Sequence, residues 1–288
     1  MKRLFIFSAL IAAAFSLMAC DDDNGQAHVT SAAKQALLTM YPTATDIEWE
    51  RRGGYSIAEF EMGTGVNRQD CTAWFDNQGV WYMTEFDIAY SALPDAVKSA
   101  FSSSEYASWQ VDDVDKLERA SAEIIYVIEV ENESATSERE VDLYYSPEGV
   151  LVKAVVDAPG TDNDYTDFIP SPVPQAIADF IEAEYPMAQI IEVDVNRNTV
   201  EVDIVEQGIY RELLFDANYN WIQTSTDVRL SDVPEIVMAA LLASEFATYE
   251  IDDIEFVETS TADYYLFELE KGERDVRLKI NTEGVIIN

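Results

Sequence analysis

The sequence is poor in the residues that do chemistry. It holds one histidine and two cysteines among 288 residues. Zinc takes several nitrogen or sulfur donors, so that inventory argues against a zinc centre. The single histidine, His28, precedes the first helix, and a base on a flexible segment cannot activate Cys71 as a nucleophile. Neither a glycine-rich phosphate loop nor a Gly-x-Ser-x-Gly elbow occurs. Basic residues are scarce too: 18 Lys and Arg face 55 Asp and Glu, a formal net charge of −37. Such a surface repels phosphates and anionic headgroups, which excludes nucleic acid as a partner. Long apolar runs end at Leu17. The reading is of a chain that is not an enzyme and carries no cofactor.

What is there begins with an address. Lys2 and Arg3 precede an uncharged run from Leu4 to Leu17, too short to span a bilayer of about 30 Å. Leu17-Met18-Ala19-Cys20 follows, in the order of a secretory signal. It resembles the bacterial lipobox, so residues 1–19 read as a signal peptide and Cys20 as the lipidated first residue. The membrane is then a partner through lipid on Cys20. Each buried CH2 of such a lipid adds about 0.8 kcal/mol. Residues 20–28 form an acidic tether containing Asp21-Asp22-Asp23. That run resembles the acidic export signal of surface lipoproteins in Bacteroidota. The expected location is the cell envelope, lipid-anchored at the outer membrane, with the cell surface as one alternative. Loss of Lys2 and Arg3 moves the net charge from −37 to −39 (16 − 55). With Cys20 lipidated, Cys71 has no intramolecular disulfide partner, and the fold rests on packing.

The chain also repeats. Ser103–Val114 aligns with Ala243–Ile254 without a gap, and Phe75-Asp76, Trp81 and Asp87 align with Phe215-Asp216, Trp221 and Asp227 at the same offset. Arg139–Lys153 resembles Arg274–Asn288. A duplication of this kind sets the architecture. Each half divides again into a helix, alternating strands and a final hairpin. Helices begin near Thr30, Pro94, Pro174 and Pro234, with proline in the first turn. Ile177, Phe180, Ile181 and Tyr185 make one apolar stripe; Ile236, Val237, Ala240 and Leu241 make another. Val200, Val202 and Ile204 alternate with Glu201 and Asp203, and Tyr265, Phe267 and Leu269 with Glu268 and Glu270. Ile124, Tyr126, Ile128 and Val130 alternate with Glu129 and Glu131. The expected class is α+β: two tandem domains, each with two helix-plus-antiparallel-strand repeats, the helices on one face of an antiparallel sheet and the other face wet. Loop composition from Ala158 to Asp167 places the domains at 29–160 and 170–288.

A helix ending in Tyr-Pro, alternating strands and then Phe75-Asp76-Asn77-Gln78-Gly79-Val80-Trp81 resemble the PepSY-like family of Bacteroidota, related to the β-lactamase-inhibitory-protein-like fold. Phe215-Asp216-Ala217-Asn218-Tyr219-Asn220-Trp221 keeps the frame without the glycine. Tyr145-Ser146 and Ile280-Asn281 replace Phe-Asp in the other two copies. The resemblance implies secreted or periplasmic modules and covers residues 29 to 288.

Candidate sites are few. Asp112-Asp113 and Asp252-Asp253 recur after a helix; clustered carboxylates suit calcium, but Asp also favours a helix-to-strand turn, and the turn is the preferred reading. Asp162, Asn163, Asp164 and Asp167 resemble part of a calcium loop without its glycine and distal glutamate. Trp74 adjoins Phe75, and Tyr144 adjoins Tyr145, so each pair splits between opposite faces of a strand. With Phe75 inward, Trp74 and Tyr144 are expected as open contacts for a protein or a glycan. Cross-strand packing or burial against the neighbouring domain is the alternative. The functional expectation is a non-catalytic, lipid-anchored envelope module that binds through its sheet faces; a glycan-binding surface lipoprotein and a structural or chaperone-like envelope protein are the rivals.

Cys20→Ser should release the protein from membranes. Fractionation after a high-salt wash reads this directly, and a variant that stays in the membrane pellet overturns the anchor.

Overall fold

A computed structural model describes residues 29–132, 140–156, 165, 168–272 and 274–287. The first unit runs α1 (Ser31–Met40), β1 (Thr45–Arg52), β2 (Tyr55–Met62), β3 (Gln69–Phe75), β4 (Trp81–Asp87), α2 (Asp95–Ser103), β5 (Gln110–Arg119), β6 (Ile125–Glu131), β7 (Glu140–Tyr145) and β8 (Leu151–Val156). The second runs α3 (Gln175–Glu184), β9 (Gln189–Val195), β10 (Thr199–Glu206), β11 (Ile209–Asp216), β12 (Trp221–Asp227), α4 (Glu235–Ala243), β13 (Glu250–Thr259), β14 (Tyr264–Lys271), β15 (Arg274–Asn281) and β16 (Ile286–Ile287). Each unit is one eight-stranded antiparallel sheet with its strands in chain order. The protein is thus α+β with two domains.

Local chemistry sets the helix ends. Thr30 Oγ1 caps α1 by accepting from the Ala33 N–H at 3.2 Å. Pro94, Pro174 and Pro234 are the N-cap residues of α2, α3 and α4, one position ahead of the first turn expected. α1 and α3 stop before Tyr41-Pro42 and Tyr185-Pro186. The stripe on α4 is narrower than its sequence suggests. Val237 and Leu241 are buried, whereas Ile236 is 54% exposed.

The Phe-Asp-x-x-Gly-x-Trp frame is structural. Asp76 Oδ1 accepts from the N–H groups of Gln78 and Val80, each at 2.8 Å, and closes the β3–β4 turn. Gly79 has φ of +82°, and a Cβ there would lie 2.7 Å from the Ala32 carbonyl oxygen. In the copy without glycine, Tyr219 takes φ of +65°, and Asp216 makes the same bonds to Asn218 and Asn220. Trp81 Nε1 and the Tyr41 hydroxyl both donate to the buried Thr84 Oγ1 at 2.8 Å. Trp221, Tyr185 and Thr224 repeat that buttress at 3.0 and 3.1 Å. The Tyr-Pro helix end and the Trp of the hairpin therefore meet at one threonine.

Four cores lie between helices and sheets, one per repeat. Leu37 of α1 packs with Phe60 and Phe75; Val97 and Phe101 of α2 with Ile128 and Tyr145; Ile177 and Ile181 of α3 with Val202 and Phe215; Val237 and Leu241 of α4 with Phe267 and Ile280. A fifth core lies on the opposite face of the first sheet. Ile57, Trp74, Met83, Leu117, Ile125, Val127 and Tyr144 are covered there by Tyr165 and Phe168 of the inter-unit segment and by Ile191 and Val205 of β9 and β10.

This core corrects two expectations. The far face of the first sheet is not uniformly wet. Trp74 and Tyr144, expected as open contacts, are only 2% and 1% exposed. Strand alternation does separate Trp74 from Phe75, but both sides of the strand are covered. The Tyr144 ring stacks on Phe168, centroids 4.2 Å apart and planes within 10°. Arg119 ties the joint: its Nη1 donates to the Ile191 carbonyl at 2.7 Å, and its Nε and Nη2 donate to the Glu123 carbonyl. The Glu123 N–H donates to the Ile190 carbonyl at 2.9 Å, so the β5–β6 turn caps the edge of β9.

Only one sheet carries this patch. Ile57 pairs with Trp74, and Trp74 with Met83; at the same lattice points Glu201 pairs with Leu214, and Leu214 with Gln223. Tyr144 opposite Val127 becomes Lys279 opposite Leu266.

Trp74→Ala should cost about 3–5 kcal/mol, as much as Phe75→Ala, because both delete a large buried aromatic. Urea melts of the two variants check this. An unchanged midpoint for Trp74→Ala would mean that the joint is not part of the folded core.

Candidate functional site

The faces turned away from the helices carry the titratable groups. On the first sheet, beyond the fifth core, a cleft of about 490 Å³ is lined by Glu59, Glu85, Asp87, Asp113 and Asp115, with Thr72 among them. The ladder sets this arrangement. Glu59 pairs with Thr72, Thr72 with Glu85, and Asp87 with Asp115, so side chains of neighbouring strands share one face.

Asp115 is the deepest of these groups at 3% exposure. Its Oδ2 accepts from the Tyr165 hydroxyl at 2.7 Å, and its Oδ1 has no hydrogen-bond partner. Burial pushes the Asp115 carboxyl up to about 7; the Tyr165 bond opposes this, and the charges of Asp113, Asp87 and Asp142 add to it. Burial, then the charge of Asp115, pushes Glu85 up to about 8 against a bond from Thr72. Glu129 goes to about 9 through burial and its contact with Glu140.

The second sheet has its own acidic group. Glu201, Asp203 and Glu212 bring one carboxylate oxygen each within 4.8 Å of one another, a spacing that could hold a metal ion. Asp203 and Glu212 are both pushed up to about 7, chiefly by burial. Among the described residues this is the group with such spacing, and none of the four aspartates singled out in sequence belongs to it. Asp112-Asp113 and Asp252-Asp253 lie within β5 and β13 at bulges, not in a turn after a helix. Asp113 Oδ1 accepts from the Val114 N–H at 2.8 Å. Asp162, Asn163, Asp164, Asp167, His28 and Cys20 lie outside the described residues.

Cys71 is buried in the α1 core at 4% exposure, and its thiol is pushed up to about 12 by burial and neighbouring carboxylates. A thiol held protonated in this way is not a nucleophile at neutral pH. The arrangement suits cation capture: carboxylates crowded together bind protons more firmly and release them to a competing positive charge. Sequence reasoning missed Glu85, Asp115 and the Glu201–Asp203–Glu212 group, because acidic residues alternate along nearly every strand and only cross-strand register tells which ones meet.

These carboxylates make stability depend on pH. Their folded values lie above the ordinary carboxylate range, so the native state holds more protons than the unfolded chain between about pH 4 and pH 8. That contribution is complete below the unfolded values and is lost as pH rises through the folded ones. The urea midpoint should therefore be higher at pH 5 than at pH 8. Asp115→Asn with Glu85→Gln should flatten the slope; a midpoint that rises with pH over this window overturns the assignment.

The chain is similar to a family model and to several solved proteins. A family model described as beta-lactamase-inhibitor-like, PepSY-like matches residues 58–153, 160–210 and 204–288. A BLIP-like protein from Bacteroides fragilis is 35% identical, over 49% of this chain and 96% of its own, with a TM-score of 0.42. A DUF2874 family protein from Bacteroides ovatus is 30% identical over 46% and 92%, with a TM-score of 0.43. A protein from Bacteroides eggerthii described as periplasmic is 25% identical over 48% and 95%, with a TM-score of 0.44. No curated protein matches the chain. With three matched stretches covering most of its length, the chain belongs to the beta-lactamase-inhibitor-like, PepSY-like family.

Proposed function

We propose that this protein is a non-catalytic, lipid-anchored binding module of the cell envelope, acting through the open, acidic parts of its two sheets. One observation carries the reading. The sheet faces left open by the joint present half-buried carboxylates, and the one thiol among the described residues is buried and protonated. Crowded carboxylates suit the binding of a positively charged group, and a buried, protonated thiol does not serve as a nucleophile. Fold alone does not assign the role, so the surface chemistry must.

The envelope location rests on the Leu-Met-Ala-Cys segment ending at Cys20, and the description of the Bacteroides eggerthii relative as periplasmic supports it. The glycan reading depended on Trp74 and Tyr144 being open, and their burial in the fifth core removes that support.

A photo-crosslinking residue at Glu212, on the far face of the second sheet, should capture a ligand in intact envelopes. The same residue at Leu38, exposed on α1, should not. Equal capture at the two positions, or capture at Leu38 alone, overturns the proposal.

A further inference from the structure

The outer face of α4 differs from those of its counterparts. At equivalent exposed positions α2 places Ser99 and Ser102, and α3 places Asp179 and Glu182. α4 places Ala239 and Leu242 there, with Ile236 where α2 and α3 have alanine. No polar side chain occurs from Ile236 to Ala243. Val237 and Leu241 face the core, but Ile236 and Leu242 are 54% and 64% exposed. The β15–β16 turn widens this patch. A Cβ at Gly284 would lie 2.8 Å from Ile236 Cγ1, so the turn rests on that side chain and sets the exposed Val285 and Ile286 beside it. In the first unit Gly79 and Gly149 approach Ala32 and Ala96 in the same way. Scattered apolar residues on a surface are ordinary, whereas a continuous apolar patch on so acidic a chain marks a contact surface.

We propose that α4 and the β15–β16 turn form a two-fold interface between two copies of this chain, with their α4 helices antiparallel. Charge selects a second copy over a bilayer. Asp232 and Glu235 are exposed at the start of α4, and anionic headgroups repel them. Past the end of α4 the charge has the other sign. Lys271 and Arg274 lie over the Tyr249 ring, 5.3 and 6.0 Å from its centre, and Lys271 also donates to Thr248. Both cations are exposed, and no ion pair joins either to a described residue. Glu245 nearby offsets one of the two. A two-fold axis crossing α4 at Ala239 brings the acidic end of each copy against the cationic end of the other. Antiparallel helix dipoles favour the same arrangement, and alanine at the crossing lets the helices approach closely. Four large apolar side chains per copy make a small core, which suits a reversible dimer and not a permanent one. The interface lies on the helix side of the second sheet, so it leaves the carboxylates of the far faces free. The inference does not depend on what those faces bind.

Analytical ultracentrifugation of the chain from Asp21, which keeps every described residue, tests this. Expected is a concentration-dependent equilibrium between monomer and dimer. Leu242→Glu should weaken the dimer tenfold or more, while Ser102→Glu at the equivalent place on α2 leaves it unchanged. Both side chains are exposed, so the fold is kept, and an unchanged urea midpoint verifies that. Lys271→Glu should also weaken association, and Glu235→Lys in the same chain should restore it, because the two positions meet across copies. In intact envelopes, full-length chain carrying Ala239→Cys should form a disulfide-linked dimer on addition of a mild oxidant, and Ser99→Cys should not. Cys71 is buried and does not compete. A chain still monomeric at about 100 µM overturns the interface. So does a dimer that Leu242→Glu leaves intact, or equal crosslinking at the two cysteine positions. Binding of the chain from Asp21 to phosphatidylethanolamine–phosphatidylglycerol vesicles that Leu242→Glu abolishes would make a bilayer the occupant and overturns it as well.

Discussion

The structure depends on the burial of one apolar sheet face. Ile57, Trp74, Met83, Leu117, Val127 and Tyr144 cannot be left in water on a surface that is otherwise acidic, and Tyr165, Phe168, Ile191 and Val205 cover them. Apolar area removed from water contributes about 25 cal/mol per Å², and the aromatic side chains here are the largest single sources of it. The joint also fixes what remains open. It hides the aromatics that would suit a sugar or an apolar partner and leaves the carboxylates beside them exposed to ligand. The functional reading follows from this division of one face into a dry half and a wet half.

Charge works against the same compact state. A chain with 55 acidic and 18 basic residues repels itself, and folding brings many of those carboxylates onto shared sheet faces. Burial raises the carboxyls of Asp115, Glu85, Asp203 and Glu212 toward neutral pH, so part of that charge is taken up by protons. Two cations lie at the joint. Arg119 is 6% exposed and gives its donors to backbone carbonyls of both units, while Lys153 lies 5.0 Å from the Phe168 ring centre and 4.0 Å from Glu192. Burial lowers Arg119 to about 10, still charged at neutral pH, so those bonds hold.

The four repeats keep their architecture while changing its details. The Tyr–Thr–Trp buttress occurs in the first and third repeats and fastens a helix end to a hairpin. Asn281 closes the last hairpin by accepting from Glu283 and Val285, as Asp76 does in the first. The far sheet faces differ: Ile57, Trp74 and Tyr144 of the first unit stand where Glu201, Leu214 and Lys279 stand in the second. Relatives of this family span about half of this chain. In the doubled chain, the first unit has a broad apolar far face, and the second meets it with Ile191 and Val205.

The sequence by itself determined the repeat, the helix starts, the strand phase and the turn chemistry, because each depends on residues within a few positions of one another. The frame around Phe75-Asp76 and the stripe of α3 were legible for that reason. One longer-range signal was present and went unread. β6 is apolar on both faces, with Ile125 and Val127 opposite Ile128 and Val130, which a strand wet on one side does not need. Tertiary structure alone decided that Trp74 and Tyr144 are buried, since a strand's alternation says that two side chains point apart but not whether each side is covered. It alone decided that Asp115 and Glu85 meet, and that Glu201, Asp203 and Glu212 do. Those neighbours lie on different strands, and the register that joins them is set by packing across the whole sheet.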